Sequence, residues 1–341
     1  MRILHILDHS VPVHTSYSHR TLSLLRQQRA LGWHTVQLTG PAQGKVETED
    51  RNRDGWHFFR TRPGPAWLPQ SLLAGRMARR LRHAIRLARP DVLHAHPPAA
   101  NAVAALWAGW RSGVPVLVEI HGGDTCAADC YAARCAGAVV VDSFALRTRL
   151  TGCGADADRI TVIAPAINMP RHPPPMPAGL VAGPVIGHVG GQDPGLDLLV
   201  AAVESLRRAH PGMVVVQEHV KRDRMAWIMA AADLVVFPDL PTGSLAVPRK
   251  PLEAMAQGAL VLASDIAPHR ELIEHGRNGI LFEAGSVDSL AEAMAALLAE
   301  PACLQPLRER ARVFAATERS WAVAARCYGP VYRRLTGGAA R

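Results

Sequence analysis

Several short stretches of this chain combine residue types that do chemistry. The run Arg249-Lys250-Pro251-Leu252-Glu253 opens a helix-patterned segment with two cations and a carboxylate three residues after Lys250. Cations and free backbone N–H groups at a helix N-terminus suit a phosphate, and a carboxylate one turn further in can accept hydrogen bonds from two hydroxyls. Taken alone, this spacing equally describes a weak surface ion pair on a helix. The run His121-Gly122-Gly123-Asp124 follows an apolar segment. There the glycines permit a sharp turn, His121 offers a positioned polar or acid–base group, and Asp124 could orient it. In Asp91-Val-Leu-His-Ala-His-Pro-Pro, His94 and His96 alternate with apolar residues and share one face of a strand. Such histidines serve as satisfied packing groups or, at the end of a strand, as acceptor contacts, with His96 the candidate for the latter. Ser16 and Arg20 lie just after the first apolar run, where a doubly wound sheet places ligands.

Three other patterns point elsewhere. Asp156-Ala157-Asp158 has the form of a metal-binding D-x-D, but it precedes an apolar run rather than following one and reads as a turn. Gly187-His-Val-Gly-Gly lacks the third-glycine spacing and the acidic ribose ligand of a dinucleotide fingerprint, which excludes hydride transfer. Cys126, Cys130, Cys135 and Cys153 form no C-x2-C pair, so the six cysteines read as reduced packing thiols and no metal site is expected.

The elements that must position these residues follow from periodicity. Short Val/Ile/Leu runs alternate with helix-period stretches almost throughout, the pattern of βα units around buried parallel sheets, so the fold class is α/β. Strands are expected near Ile3–Leu7, His34–Leu38, Val92–Ala95, Val114–Ile120, Ala138–Val141 and Ile160–Ile163, with a helix over Thr21–Leu31 ending at Gly32. Residues 168–179 contain five prolines and read as a linker. A second series begins at Pro184-Val-Ile-Gly-His-Val-Gly and continues through Val214–Val216, Leu234–Phe237, Leu260–Ala263 and Ile280–Phe282. The expected organisation is a domain over residues 1–168, a linker over 169–178, a second domain over 179–318, and a helix over 319–341 carrying Trp321, Tyr328 and Tyr332 on one side and packing across the domain junction.

The charge is uneven. Residues 1–168 carry 20 Lys/Arg against 12 Asp/Glu, while residues 169–341 carry 18 against 17. No zinc finger, RNA-binding strand or recognition helix accompanies the basic half, so nucleic acid is not expected and an anionic membrane or phosphorylated substrate is. The helix over Leu72–Ala88 carries Arg76, Arg79, Arg80, Arg82 and Arg86, with Arg89 adjacent, around an apolar stripe of Met77, Leu81 and Ile85. That pattern suits an anionic lipid surface. No apolar run reaches the length of a membrane span and no leader precedes the first strand, so a cytoplasmic location is expected, with the inner face of the membrane as a docking surface.

The segment Arg249–Phe282 resembles the nucleotide-sugar-binding signature of family 4 glycosyltransferases, with Pro248, Lys250, Glu253, Ala254, Met255, Ala256 and Gly258 in the matching places. The opening 35 residues, residues 91–106 and the HGGD run are also similar to this family, and most closely to the branch associated with exosortase (PEP-CTERM) systems. The resemblance implies two Rossmann-like doubly wound domains facing a cleft (GT-B). It implies a retaining, metal-independent hexosyltransferase that needs no cofactor and moves a sugar from a nucleotide-sugar donor to a glycan or lipid-linked acceptor in exopolysaccharide or cell-surface polysaccharide synthesis. His121 and Asp124 would be catalytic. Arg249, Lys250, Glu253, Gly190 and Gly191 would bind the donor, and Ser16, Arg20 and His96 would lie on the acceptor side. The sequence departs from the family where a Glu is expected eight or nine residues before Glu253, at Leu245 and Ser244, and where an Arg and a Lys are expected within residues 190–199. The segment between Arg208 and Met213 is also shorter by about one βα unit. These departures motivate the alternative of a degenerate, non-catalytic binding or regulatory protein.

Overall fold

The computed structural model describes residues 1–44, 49–51, 55–63, 70–122, 126–170, 183–190, 194–218, 222–241 and 245–337. The chain divides into two compact units, Met1–Ala164 with Trp321–Arg341, and Pro165–Ser320.

The first unit contains β1 (Arg2–Leu7), α1 (Ser16–Ala30), β2 (His34–Thr39), β3 (Glu49–Arg51), β4 (His57–Arg60), α2 (Gln70–Ala88), β5 (Val92–Ala95), α3 (Ala99–Ser112), β6 (Val116–Ile120), α4 (Ala127–Cys135), β7 (Ala138–Val141), α5 (Phe144–Gly152) and β8 (Ile160–Val162). Its sheet runs β3-β4-β2-β1-β5-β6-β7-β8. All pairings are parallel except that of the edge strand β3 with β4. The steps from β4 to β5 and on to β6, β7 and β8 all move the same way across the sheet, so right-handed crossovers put α2, α3, α4 and α5 on one face. The step from β1 to β2 moves the other way and puts α1 on the opposite face.

The second unit contains β9 (Val185–His188), α6 (Pro194–Leu206), β10 (Val214–Gln217), α7 (Arg222–Ala231), β11 (Leu234–Phe237), α8 (Arg249–Gln257), β12 (Leu260–Ser264), α9 (Ala267–Arg270), β13 (Ile280–Phe282), α10 (Val287–Ala299) and α11 (Pro301–Glu318). Its parallel sheet runs β10-β9-β11-β12-β13. Both faces are buried, as parallel strands require. Val235 and Phe237 of β11 join Val261 and Ala263 of β12 in one core, while Leu234, Val236, Leu260 and Leu262 face the other.

The final helix, α12 (Trp321–Leu335), belongs to the first unit and packs on α1. Its buried Trp321, Tyr328 and Tyr332 are the residues that share one side in the sequence. The chain leaves the first unit at Ala164, slightly ahead of the proline-rich stretch, because Ile167 is drawn into the second core and bridges to Ser320. Residues 171–182, most of the expected linker, lie outside the described residues. The strands β3 and β4 were not anticipated. The apolar stripe of α2 faces inward: Met77, Leu81 and Ile85 are 2%, 0% and 8% exposed. It is therefore core, and the surface of α2 carries its arginines together with Leu87.

Glycine at 187 in β9 lets α7 lie close on the sheet, since a Cβ there would meet Ile228 Cγ2 at 2.7 Å and Ala232 Cβ at 3.0 Å. Gly187→Ala should destabilise the second unit by about 1–3 kcal/mol through overpacking. Urea unfolding followed by circular dichroism checks this, and an unchanged midpoint would mean that α7 does not rest on β9.

Candidate functional site

The residues singled out in the first unit gather on one face of its sheet. His5 of β1 pairs in register with His94 of β5, and Glu119 and His121 continue the same alternation along β6. This is the face covered by α1 and α12. Glu119 is 3% exposed and is the hub. Its carboxylate lies 2.5 Å from Arg20 Nη2, 2.5 Å from His96 Nδ1, 3.0 Å from His121 Nε2 and 3.4 Å from His94 Nε2, and it accepts a hydrogen bond from Tyr328 Oη at 2.9 Å. Tyr332 Oη lies 2.8 Å from His94 Nδ1 and accepts from Gln28 Nε2 at 3.0 Å. His5 Nδ1 and His96 Nε2 are 3.0 Å apart.

The electrostatics follow from burial and pairing. Burial acts to raise the Glu119 pKa, but Arg20, His96 and His121 outweigh it and hold the carboxyl well below its usual range. Burial, then the charge of neighbouring imidazoles, pushes His5 down and His94 down to about 3, and burial, with Arg20 behind it, lowers His96 against the pull of Glu119. These three histidines are neutral hydrogen-bonding groups at neutral pH. Among the described residues they are also the set that could hold a metal ion, with one ligand atom from each within 4.8 Å of the others. Their contacts with each other, Tyr332 and Glu119 account for the arrangement through hydrogen bonding.

His121 ends β6 at the carboxyl edge of the sheet. Its Nδ1 is 3.2 Å from Asp142 Oδ2, at the end of β7, and Asp142 also accepts from Gly122 N at 3.1 Å. Arg20 Nη2 contacts the same His121 nitrogen that faces Glu119. The imidazole is thus held from both sides, with its plane fixed and 18% of the side chain exposed. A substrate group reaching it must share or displace the contact with Arg20, which is itself partly exposed.

Ser16 is exposed at the first turn of α1, where Thr15 and Ser18 form a capping box. Beside it, His9 bridges Asp8 and Thr15 at 2.8 and 2.7 Å, and Tyr17 Oη accepts from Asp8 N and donates to Pro97 O, both at 3.0 Å. The glycine-poor turn after β1 is therefore held by side chains.

Two expectations for this unit change. His96, placed on the acceptor side, is 3% exposed and lies between His5 and Glu119; its alternation with His94 reflects the buried network. Arg20 is an ion-pair partner of Glu119 before it is anything else. Asp124 lies outside the described residues, and Asp142 is the carboxylate seen against His121. Glu119 and Asp142 escaped the sequence reading, although a lone carboxylate in the apolar strand β6, two residues before His121, carried a signal.

In the second unit, polar groups again gather near the carboxyl ends of strands. Pro248 is the N-cap of α8, and Gly258 closes the helix in the left-handed conformation. With Pro251 lacking an N–H, the backbone amides of the first turn are those of Arg249 and Lys250. Lys250 is exposed and Glu253 half-buried. Arg249 donates from Nη2 to Ala166 O at 3.2 Å, so its guanidinium is tied to the chain. After β11, Asp239 lies 3.1 Å from His269 Nε2, while His269 Nδ1 donates to Ser264 O at 2.7 Å. The contact with His269 leads the influences, which include His188 and Lys250, that lower the Asp239 pKa. Gly190 packs over the His188 ring, where a Cβ would meet Nε2 at 2.5 Å. Gly191 lies outside the described residues. Asp239 and His269 were also missed, since neither belongs to a recognisable spacing.

The buried histidines set a pH dependence. Below about pH 6.5 the unfolded chain takes up protons that folded His94 refuses until about pH 3, so their stabilisation is complete above pH 6.5 and declines as pH falls through that window. Glu119, whose folded pKa is depressed, adds a further loss only below the ordinary carboxylate range. Melting temperatures from pH 7.5 to 5 should fall for the wild type and fall less steeply for His94→Gln. Equal slopes would mean that His94 is already protonated in the fold.

The same architecture recurs in known proteins. Residues 17–166 match the model of a glycosyl transferase 4-like domain, and residues 183–300 that of glycosyl transferases group 1. Among curated proteins, the chain is 31% identical to alpha-maltose-1-phosphate synthase of Mycolicibacterium smegmatis over 144 residues, 40% of this chain and 36% of that protein. It is 29% identical to D-inositol 3-phosphate glycosyltransferase of Nocardia farcinica over 213 residues, 50% and 46% of the two chains. The matched region thus spans less than half of these relatives' length. Among solved structures, sucrose-phosphate synthase of Thermosynechococcus elongatus superposes with a TM-score of 0.73 at 17% identity, covering 99% of this chain and 100% of the other. Anabaena HepE in complex with UDP superposes with a TM-score of 0.71 at 15% identity, covering 97% and 99%. With a glycosyl transferase 4-like domain in its first half, a group 1 domain in its second and a parallel α/β sheet in each, the chain belongs to the group 1 (family 4-like) glycosyltransferases of GT-B fold.

Proposed function

We propose that this protein is a retaining, metal-independent hexosyltransferase. In this reading the second unit holds a nucleotide-sugar donor, and the first holds a glycan or lipid-linked acceptor, in exopolysaccharide or cell-surface polysaccharide synthesis of the exosortase-associated kind. One observation carries the reading. Both halves, matched separately to the two domains of one enzyme family, present ionisable side chains at the carboxyl ends of their parallel strands, where α/β sheets bind ligands. HepE has been solved in complex with UDP and with UDP-glucose, which makes UDP-glucose the first donor to test.

In the proposed reaction the bond between the anomeric carbon and the diphosphate breaks as an acceptor hydroxyl oxygen bonds to that carbon, and the hydroxyl proton passes to the departing diphosphate. The Lys250 amide at the start of α8, with the Lys250 ammonium, meets the charge left on the diphosphate. Glu253 accepts from the ribose hydroxyls. The carboxylate expected eight or nine residues earlier is absent, and Asp239 supplies an ionised one within the field of Lys250. His121, held between Glu119 and Asp142, acts as a rigid polar group against the reacting sugar. Working at the inner face of a membrane suits the basic first half. No helix among the described residues is long and apolar enough to cross one.

A second reading, a binding protein without transfer activity, is favoured by the tie between Arg249 and Ala166 and by the missing cations in residues 190–199. Calorimetry with UDP-glucose, then a transfer assay over lipid-linked acceptors, separates the two.

Lys250→Ala and Glu253→Ala should each weaken donor binding by about tenfold to a hundredfold, the worth of a hydrogen bond to a charged group, with the fold intact. Unchanged affinity in both would remove the donor assignment. His121→Ala should lower turnover by about 10²–10⁴ while changing donor affinity by less than about tenfold. Turnover equal to wild type would move the reaction centre elsewhere. A wild type that binds the donor but neither transfers nor hydrolyses it would establish the binding protein.

A further inference from the structure

The helices α2, α3, α4 and α5 cover one face of the first sheet, and their outward surface has a composition that the transfer reaction does not call for. Together they contain nine arginines, Arg76, Arg79, Arg80, Arg82, Arg86, Arg111, Arg134, Arg147 and Arg149, against one carboxylate, Asp129. Five of the large hydrophobic residues left exposed belong to the same layer: Leu87, Trp107, Trp110, Tyr131 and Phe144. Trp110 is 79% exposed and Trp107 42%. Along α3, Ala100, Val103, Trp107 and Trp110 recur at helical spacing on the outward side, opposite the buried Ala102, Ala104, Ala105 and Ala108.

The cations and indoles are neighbours in space. Arg82 of α2 stands 5.6 Å from the Trp107 ring, and Arg111 stands 5.4 Å from Trp107 and 5.8 Å from Trp110. An indole with an apolar body and an N–H donor, flanked by guanidinium groups, fits the boundary between lipid headgroups and acyl chains. The arginines fit the negative potential of an anionic leaflet. Soluble surfaces seldom leave two adjacent tryptophans in water without a partner.

We infer that the α2–α3 surface, with Trp107 and Trp110 as insertion anchors and Arg82 and Arg111 as headgroup contacts, docks this protein on an anionic phospholipid bilayer. The inference rests on the membrane-surface part of the proposed function and replaces its expected agent, since the apolar stripe of α2 is buried and the anchors lie on α3. It is independent of whether the chain transfers sugar. The opposite face of the sheet, with the Glu119 network under α1 and α12, takes no part in the docking.

The test is co-sedimentation of the full chain with vesicles of 30 mol% phosphatidylglycerol in phosphatidylcholine, and with pure phosphatidylcholine, across a salt series. Wild type should bind the anionic vesicles preferentially and release with salt. Trp107→Ala/Trp110→Ala and Arg82→Gln/Arg111→Gln should each lose about tenfold or more in vesicle affinity. Far-ultraviolet circular dichroism and thermal melting of each variant, unchanged from wild type, ensure that the loss is not unfolding. Wild-type binding that survives in both double variants would overturn this surface while leaving the membrane reading in place. Failure of the wild type to bind anionic vesicles at all would overturn both. Concentration-dependent self-association that disappears in the tryptophan variant, without vesicle binding, would assign the surface to a second copy of the chain and overturn the lipid proposal.

Discussion

A carboxylate buried to 3% exposure in the middle of a parallel sheet has to be answered by donors, and the way Glu119 is answered organises the first unit. Its partners come from four places in the sequence: Arg20 on α1, His94 and His96 at the end of β5, His121 at the end of β6, and Tyr328 on α12. Desolvating a lone carboxylate costs several kcal/mol, and removing one partner from such a network leaves the others unpaired. The network therefore specifies position. It fixes where α1 lies on the sheet and brings back a helix some two hundred residues away in sequence, because Tyr328 and Tyr332 reach Glu119, His94 and Gln28 from α12. It also sets the plane of His121, through Glu119 on one ring nitrogen and Asp142 on the other.

Each unit separates apolar support from polar chemistry along its strands. In β11 and β12 alternate residues feed two cores, so the strands can be apolar on both faces, and polar residues appear only where the strands stop: Asp239 after β11, Ser264 at the end of β12. The first unit breaks that rule on one face, admitting four histidines, His5, His94, His96 and His121, and a glutamate around β1, β5 and β6. A polar interior is stable there only because neutral imidazoles and tyrosine hydroxyls can both donate and accept. Burial keeps His5, His94 and His96 neutral, which is why the same cluster becomes a liability in acid.

Most of the architecture was legible because strand runs and helix periods are local. The expected strands at Val92–Ala95, Ala138–Val141, Leu234–Phe237 and Ile280–Phe282 fall on β5, β7, β11 and β13. The short strand β3 and its neighbour β4 lacked a long apolar run and were passed over. Where the reading stopped short was in three dimensions. His96 has the alternation of a site residue, but burial makes it structural. Glu119 and Asp142 lie in no motif, yet they hold His121. A stripe at Met77, Leu81 and Ile85 has the same period whether it meets lipid or the protein's own sheet, and only the packing of α2 tells which.

Chirality has a consequence for how the first unit can serve two partners. Because consecutive right-handed crossovers place α2 to α5 on one face and the reversed step after β1 places α1 on the other, the sheet separates the arginine- and tryptophan-bearing surface from the Glu119 network by its own thickness. An anionic surface pressed on α2 and α3 therefore meets Arg82 and Arg111 without competing for Arg20, whose charge stabilises Glu119. The two sets of cations differ accordingly. Arg20 is spent inside the fold on a buried carboxylate, whereas Arg82 and Arg111 are paired with indole rings, whose quadrupoles attract a cation without neutralising it. A guanidinium held in that way keeps its full charge for an external anion.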